Sequence, residues 1–427
     1  MDKQRRVLTD GAVAIEGGKI VQVGPRTEVE RSFRGAKRLH RQEAILIPGL
    51  INTHTHVPMS LMRGIADDKR LQDWLEQFIF PAEAKNVTKD FCYWGTLLGC
   101  LEMQLSGTTT YTDMYYFEEE IARATKQAGL RGVLGQTVIG FPVADAKSPA
   151  DSLARAEAFF KQYSSDPLII PAIAPHALYT NTRETLQACR KLANDYKRPL
   201  LIHISETKRE NDDMIKQHTK SPTQVLDEWG ILDGLTIAAH CIWTNEADIA
   251  TLARKKTGIA HCPSSNMKLA SGFAPVVKQL AAGLHVGLGT DGPAGSNNDF
   301  NLMEEMDLAA KLAKVHMMDP EVLPARTALE MATLHGASVI GMEDHLGSLE
   351  AGKLADAVFL RTNVVNAVPS FDPYSTVVYA LKGADVSDVF VNGQPVVRDG
   401  RSLTLKPAEI LARARAYQSQ IVLSLKK

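Results

Sequence analysis

A closed barrel of eight parallel strands joined by helices, α/β in class, with a small β-sandwich domain built from both termini, is predicted by three features of the sequence. Between residues 45 and 295 a short apolar or β-branched run is followed repeatedly by a turn-rich stretch and a helix-like segment. Eight such runs can be counted, which favours a (β/α)8 barrel of the TIM type over an open sheet. The ends of the chain abandon that period for short alternating strands.

The candidate barrel strands are Ala44–Asn52, Thr108–Asp113, Gly132–Ile139, Leu168–Ala174, Leu200–Ile204, Leu235–Ala239, Gly258–His261 and Val286–Gly289. Apolar residues spaced three and four apart place helices at Asp90–Leu105, Glu118–Ala128, Ala150–Gln162, Arg183–Asp195, Pro222–Trp229, Glu246–Arg254 and Phe300–Lys314. Thr180-Asn181-Thr182 and Thr244-Asn245 supply side-chain oxygens that cap exposed helical amides. Residues 12–23 read as two strands around Gly17-Gly18, and residues 354–361 and 387–397 as short strands with an Asn392-Gly393 hairpin turn. The expected domains are 1–47, the first part of the small β domain; 48–351, the barrel; and 352–427, the rest of the small domain with a terminal helix.

The 427 residues carry a formal net charge of -1 with no run of five or six like charges, so a nucleic-acid partner is not expected. The start, MDKQRRVLTD, is polar, and no run approaches eighteen apolar residues. A cytoplasmic protein without a membrane partner is the expectation. The five cysteines (Cys92, Cys100, Cys189, Cys241, Cys262) form no C-x-x-C pair, which argues against a disulfide framework or a Cys-rich zinc site. They read as core residues, with ligand or nucleophile a minor alternative for Cys241 and Cys262, which follow histidines.

His54-Thr55-His56 closes the first strand, and residues two apart on a strand share a face, so both imidazoles can converge on one ion. An isolated H-x-H is more often a pair of loop histidines, but here an apolar strand leads straight into it. His176, His203 and His240 end later strands and Asp291 ends the eighth, which gathers them at one barrel rim. Core filling does not explain that coincidence. His54, His56, His203 and Asp291 form a ligand set suited to zinc or a similar divalent metal, with a position left for water. His240 and Glu206 then remain to manage protons. Glu206 lies three residues after His203, the wrong parity for one strand face, so the chain must turn just after Ile204. The bland alternatives are an exposed loop carboxylate for Glu206 and a turn residue for Asp291.

Gly287-Leu288-Gly289-Thr290-Asp291-Gly292 fits G-x-G-x-x-G, yet it lies far from any initial βαβ unit and has an acid in the phosphate-facing turn. A nucleotide cofactor is not expected. The H-x-E and P-C-x-x-C pattern of cytidine-deaminase zinc sites is absent.

Taken together, PGLINTHTH, HISE, IAAHC, HCPSSNMKL and LGTDGPAGSNN resemble the amidohydrolase superfamily, and within it the 5-methylthioadenosine/S-adenosylhomocysteine deaminases. The resemblance runs along nearly the whole chain, including Met62–Gly64, Asp73-Trp74-Leu75 and Pro81-Ala82-Glu83. It implies one divalent ion per subunit, Zn2+ before Mn2+ or Fe2+, on His54, His56, His203 and Asp291. It implies that His240 holds the metal-bound hydroxide, that Glu206 protonates the ring nitrogen, that hydroxide adds to C6 of the adenine ring and that Asp291 takes its proton. Glu83 and His176 would bind the ribose hydroxyls, and Glu206, Asp291 and Trp74 would also contact the substrate. The implied substrates are small-molecule nucleosides: 5'-methylthioadenosine, S-adenosylhomocysteine, adenosine or 5'-deoxyadenosine. A homo-oligomer is left open. No lysine ends a candidate strand to bridge a second metal, which favours one ion.

Two departures accompany the resemblance. Gln136 stands where some members place an arginine for the far end of the ligand, so a homocysteine carboxylate would need another cation, such as Arg63 or a residue of a neighbouring subunit. The resemblance also implies a strand ahead of DGAVAIEGG, for which MDKQRRVL leaves barely enough chain, pointing to a shortened start. Guanine deamination and s-triazine hydrolysis are competing activities for the same metal site, and a non-catalytic metal-binding scaffold is the competing class.

Overall fold

The computed structural model describes Asp2 and residues 4–425. Strands β1 (Gly11–Glu16) and β2 (Lys19–Pro25) form the antiparallel hairpin expected around Gly17-Gly18. No strand precedes β1 among the described residues. After β3 (Ala44–Pro48) come β4 (Leu50–Thr55), β5 (Thr108–Tyr115), β6 (Arg131–Val138), β7 (Ile169–Pro175), β8 (Leu200–Ile204), β9 (Thr236–His240), β10 (Gly258–His261) and β11 (Val286–Leu288). Strands β4 to β11 close into an eight-stranded parallel barrel.

One expected strand is two. Ala44–Asn52 breaks at Pro48-Gly49, where the chain leaves an outer sheet and enters the barrel: Gly49 N donates to Asp356 O at 3.0 Å and Leu50 N to Gly107 O at 3.1 Å. An apolar run looks the same whichever sheet buries it, so periodicity could not reveal the change. Strand β3 joins β12 (Ala357–Arg361), β13 (Val386–Val391), β14 (Gln394–Arg398) and β15 (Arg401–Ser402) in the order β15-β14-β13-β12-β3. The β1-β2 hairpin is a separate sheet packed on this one, with Ile20, Leu349, Ala355 and Ala357 buried beside Val13, Val23 and Leu46.

The outer sheet is fastened to the barrel by Arg131, which is fully buried at the start of β6. Its guanidinium pairs with Asp356 and donates to Asn392 Oδ1 and, at 3.0 Å, to Thr110 Oγ1. Asn392 N donates in turn to Asp356 Oδ1 at 2.8 Å, so the hairpin turn of the outer sheet is held against the barrel by a connected polar network.

The expected helices are present at Lys89–Leu105, Glu118–Ala128, Pro149–Gln162, Arg183–Asp195, Pro222–Glu228, Glu246–Arg254 and Leu302–Met317. Thr182 and Asn245 cap two of them through Thr185 N and Asp248 N. Sequence reasoning missed the helix Lys208–His218, whose polar stretch resembles a loop, and the short helices Leu71–Trp74 and Phe80–Asn86 that wall the barrel mouth. No helix of the described residues is long and apolar enough to cross a membrane.

Candidate metal centre and cleft

Strand β4 is buried along its whole length, and its H-x-H end reaches the barrel rim. The glycine pattern that imitates a dinucleotide fingerprint serves this strand. A Cβ on Gly287 would lie 2.6 Å from Thr53 Cγ2, and one on Gly289 would lie 2.9 Å from His54 Cβ. Glycine therefore lets β11 approach β4 closely enough to bring Asp291 to the histidines.

The histidines are oriented from behind. His56 Nδ1 lies 2.8 Å from Met114 O and His203 Nδ1 lies 2.7 Å from His176 O. A carbonyl only accepts, so both Nδ1 atoms carry protons and both Nε2 atoms are the ones turned toward the site. His54 Nε2 is buried without a hydrogen-bond partner. Asp291 Oδ1 lies 3.4 Å from His54 Nε2 and 3.3 Å from His56 Nε2, while Oδ2 accepts from Ser265 Oγ at 2.7 Å. The ligating atoms of His54, His56 and Asp291 fall within 4.8 Å of one another, as do those of His54, His203 and His240. With His54 common to both groups, these side chains surround one small volume whose imidazole and carboxylate donors fit a divalent cation.

The electrostatics agree with that fit. Burial, reinforced by neighbouring imidazoles, holds His203 well below the usual range, keeping it in the neutral form a metal accepts. Burial opposes charge on Asp291, yet the imidazoles of His54 and His56 facing it at 3.4 and 3.3 Å hold its carboxyl far below the ordinary value. Burial likewise lowers His56, but Asp291 overrides it and raises the imidazole to about 9. The carboxylate thus draws positive charge to this point.

Strand β8 stops at Ile204, and Ser205 takes a left-handed φ of 52°, the turn that parity required. It delivers a buried Glu206 whose Oε2 lies 3.9 Å from His240 Nε2. His240 Nδ1 faces Asn266 Oδ1 at 3.1 Å. Burial raises Glu206, His240 partly offsets this, and the negative charge of Asp291 adds to it. Glu206 therefore keeps a proton at higher pH than an ordinary glutamate.

These groups open into one shared cleft at the barrel mouth. Leu71, Leu75, Ile79 and Phe80 wall it on the helical side, and Glu83 and His176 also line it. Glu83 Oε1 accepts from the Tyr115 hydroxyl at 2.6 Å. Trp74 lines the cleft with its indole Nε1 bonded to Ala294 O at 2.9 Å. Gln136 is directed elsewhere: its amide donates to Asp145 Oδ2 at 2.9 Å, while the neighbouring Thr137 lines the cleft. Arg63 is engaged by Glu102 and by Asn298 O. The thiols of Cys241 and Cys262 are buried and raised above their usual range by that burial, which suits core packing.

Two residues at the rim escaped sequence reasoning, Glu210 and Asn211 on the helix Lys208–His218. Thr207-x-x-Glu210, a capping-box pattern, was the available signal.

Residues 45–396 match the amidohydrolase family, and residues 11–36 match an imidazolonepropionase-like composite domain of bacteria. A 5-methylthioadenosine/S-adenosylhomocysteine deaminase of Thermodesulfovibrio yellowstonii is 43% identical over 423 residues, covering 99% of this chain and 96% of the relative. A 5'-deoxyadenosine deaminase of Methanothermobacter thermautotrophicus is 40% identical over 416 residues, covering 96% of this chain and 95% of the relative. The crystal structure of an adenosine deaminase from Xanthomonas campestris with bound zinc superposes with a TM-score of 0.94 at 37% identity, covering 98% of this chain and 95% of that one.

Proposed function

The chain belongs to the amidohydrolase family and is a metal-dependent hydrolytic deaminase, and from that premise we propose that it deaminates adenosines modified at the 5' position, 5'-methylthioadenosine foremost. The products are the inosine analogue and ammonia. The observation that carries this reading is one cleft lined by both the Glu206 and His240 pair and the ribose-suited Glu83 and His176.

One divalent ion, zinc as first choice, would be held by His54, His56, His203 and Asp291. When bound, such an ion lowers the pKa of its water to about 7. Glu206 in its protonated form donates to the ring nitrogen beside C6, which makes that carbon electrophilic. His240, fixed through Asn266, hydrogen-bonds the attacking water with Nε2. Asp291 accepts one proton from that water and passes it to the departing amine, and the water's second proton restores Glu206, so the new C–O bond becomes the product carbonyl, the C–N bond breaks and ammonia leaves. Glu83 and His176 bind the ribose hydroxyls, and Trp74 closes the wall beside the base.

In this reading the 5' substituent lies against the apolar wall of Leu71, Leu75, Ile79 and Phe80; among the described residues no lysine or arginine lines the cleft. Methylthio and unsubstituted 5' carbons match this wall better than the charged amino-acid tail of S-adenosylhomocysteine. The test is an absorbance screen of 5'-methylthioadenosine, 5'-deoxyadenosine, S-adenosylhomocysteine, adenosine, guanine and a chlorinated triazine on a metal-analysed sample. Loss of adenine absorbance with 5'-methylthioadenosine is expected, and no loss with any adenosine overturns the proposal.

A further inference from the structure

Glu210 makes an unusual pair of bonds. It is the third residue of the helix Lys208–His218, whose N-cap Thr207 accepts from Glu210 N at 3.2 Å. In a capping box the side chain at this position returns to the N-cap amide. Here it reaches past the cap: Oε1 accepts from Ser205 N at 3.2 Å and Oε2 from Glu206 N at 2.8 Å. Both carboxylate oxygens are thus spent on consecutive amides of the left-handed turn that aims Glu206 into the cleft.

The other face of that turn is fixed as well. Ser205 O accepts from Ile242 N at 3.1 Å and from Trp243 N at 3.0 Å, and Cys241 N donates to Ile204 O at 3.0 Å. His240 and Cys241 both have positive φ, so the turn that follows β9 is as constrained as the one it grips. Asn211, next to Glu210, donates through Nδ2 to Trp243 O. The first turn of one helix therefore braces both strand-end turns that carry Glu206 and His240.

We propose that Glu210 is a positioning residue for the proton donor Glu206, holding its backbone so that the carboxyl stays beside His240. Glu210 is buried and lies outside the lining of the cleft, so it acts through Glu206 and not on substrate. The inference rests on the role given to Glu206 under the proposed function.

A double-mutant cycle with 5'-methylthioadenosine tests it. Glu210→Gln keeps one acceptor but turns an NH2 toward the second amide, and Glu210→Asp keeps the charge on an arm too short for both bonds. Each is expected to lower kcat by about tenfold to a hundredfold with KM changed by less than about threefold and metal content unaltered. In a Glu206→Gln background the same changes should have no further effect on residual kcat. Unchanged kcat in folded Glu210→Gln and Glu210→Asp, or an equal loss in the Glu206→Gln background, overturns the proposal. Retained turnover in Glu206→Gln alone would instead refute the donor role from which the inference starts. Should Glu210→Gln fail to fold, the charge-retaining Glu210→Asp decides the matter by the same cycle.

Discussion

The imidazole Nδ1 of His203 donates to the main-chain carbonyl of His176 at 2.7 Å, so the end of β7 orients the Nε2 that His203 on β8 would offer to the proposed ion. Because the acceptor is main chain, and Thr180 Oγ1 engages the His176 ring only at Nδ1 (3.1 Å), the His176 Nε2 is left for another task. His203→Ala should therefore lose both bound metal and turnover. His176→Ala should keep full metal stoichiometry while raising KM by about tenfold to a hundredfold, the cost of one lost polar contact. Elemental analysis beside steady-state kinetics separates the two, and loss of metal from His176→Ala would contradict the division of roles.

Glu206→Gln should fold normally, because the residue's backbone amide bond to Glu210 does not involve its own side chain. Removing a general acid costs about 10²- to 10⁴-fold in kcat. Binding should change little, so kcat and kcat/KM are expected to fall together in initial-rate measurements.

Most of the barrel was legible because each strand carries enough apolar or β-branched residues to be seen, and because His54, His56, His176, His203, His240 and Asp291 stand at strand ends, where topology gathers them. Glu206 was legible only through the company of the strand-end histidines and the HISE motif, while its parity demanded the turn found at Ser205. What could not be read was anything depending on a change of sheet or a reach across sequence. The run from Ala44 to Asn52 has one composition but two destinations, and Gln136 sits next to Thr137 with only the fold deciding which faces the cleft. Glu210 was hidden because its helix is almost entirely polar, burying only Glu210, Asn211 and Met214, so no hydrophobic period marks it.

Arg131 offers a test of the fold independent of the chemistry. Its charge is fully buried against Asp356, far along β6 from the rim, and cutting it to alanine strands that carboxylate. Arg131→Ala should cost about 3–5 kcal/mol of stability, as removal of one partner of a buried pair does. Denaturant titration of the metal-loaded enzyme would measure it, while kcat of the folded fraction should stay within about twofold of the parent.

The cleft wall predicts a preference among 5' substituents. With Leu71, Leu75, Ile79 and Phe80 as neighbours, kcat/KM for 5'-methylthioadenosine should exceed that for S-adenosylhomocysteine by at least about tenfold. Leu75→Arg should narrow the gap by supplying a cation. Equal kcat/KM values in the parent enzyme would show that the charged tail finds a partner outside this wall.

Glu83 links pH to binding. Burial is the main cause that raises its carboxyl, from 4.5 to about 7, and the Tyr115 hydroxyl partly opposes the rise. Below about 7 the side chain is therefore mostly neutral, and above it ionised. Hydrogen bonds from ribose hydroxyls to an ionised carboxylate are roughly twice as strong as those to a neutral acceptor, so binding should tighten as pH rises through this window. The folded state holds this proton more tightly than the unfolded chain, so the same group costs stability as pH rises from 4.5 toward about 7. Other groups titrate in this range too, and the ratio of parent to Glu83→Gln kcat/KM at each pH removes their common contribution. That ratio should climb between about pH 6 and 8 and then level off. Tyr115→Phe deletes a bond that favours the ionised form, so it should move the climb to higher pH. A flat ratio in the parent, or a Tyr115→Phe shift to lower pH, would remove Glu83 from the ribose site.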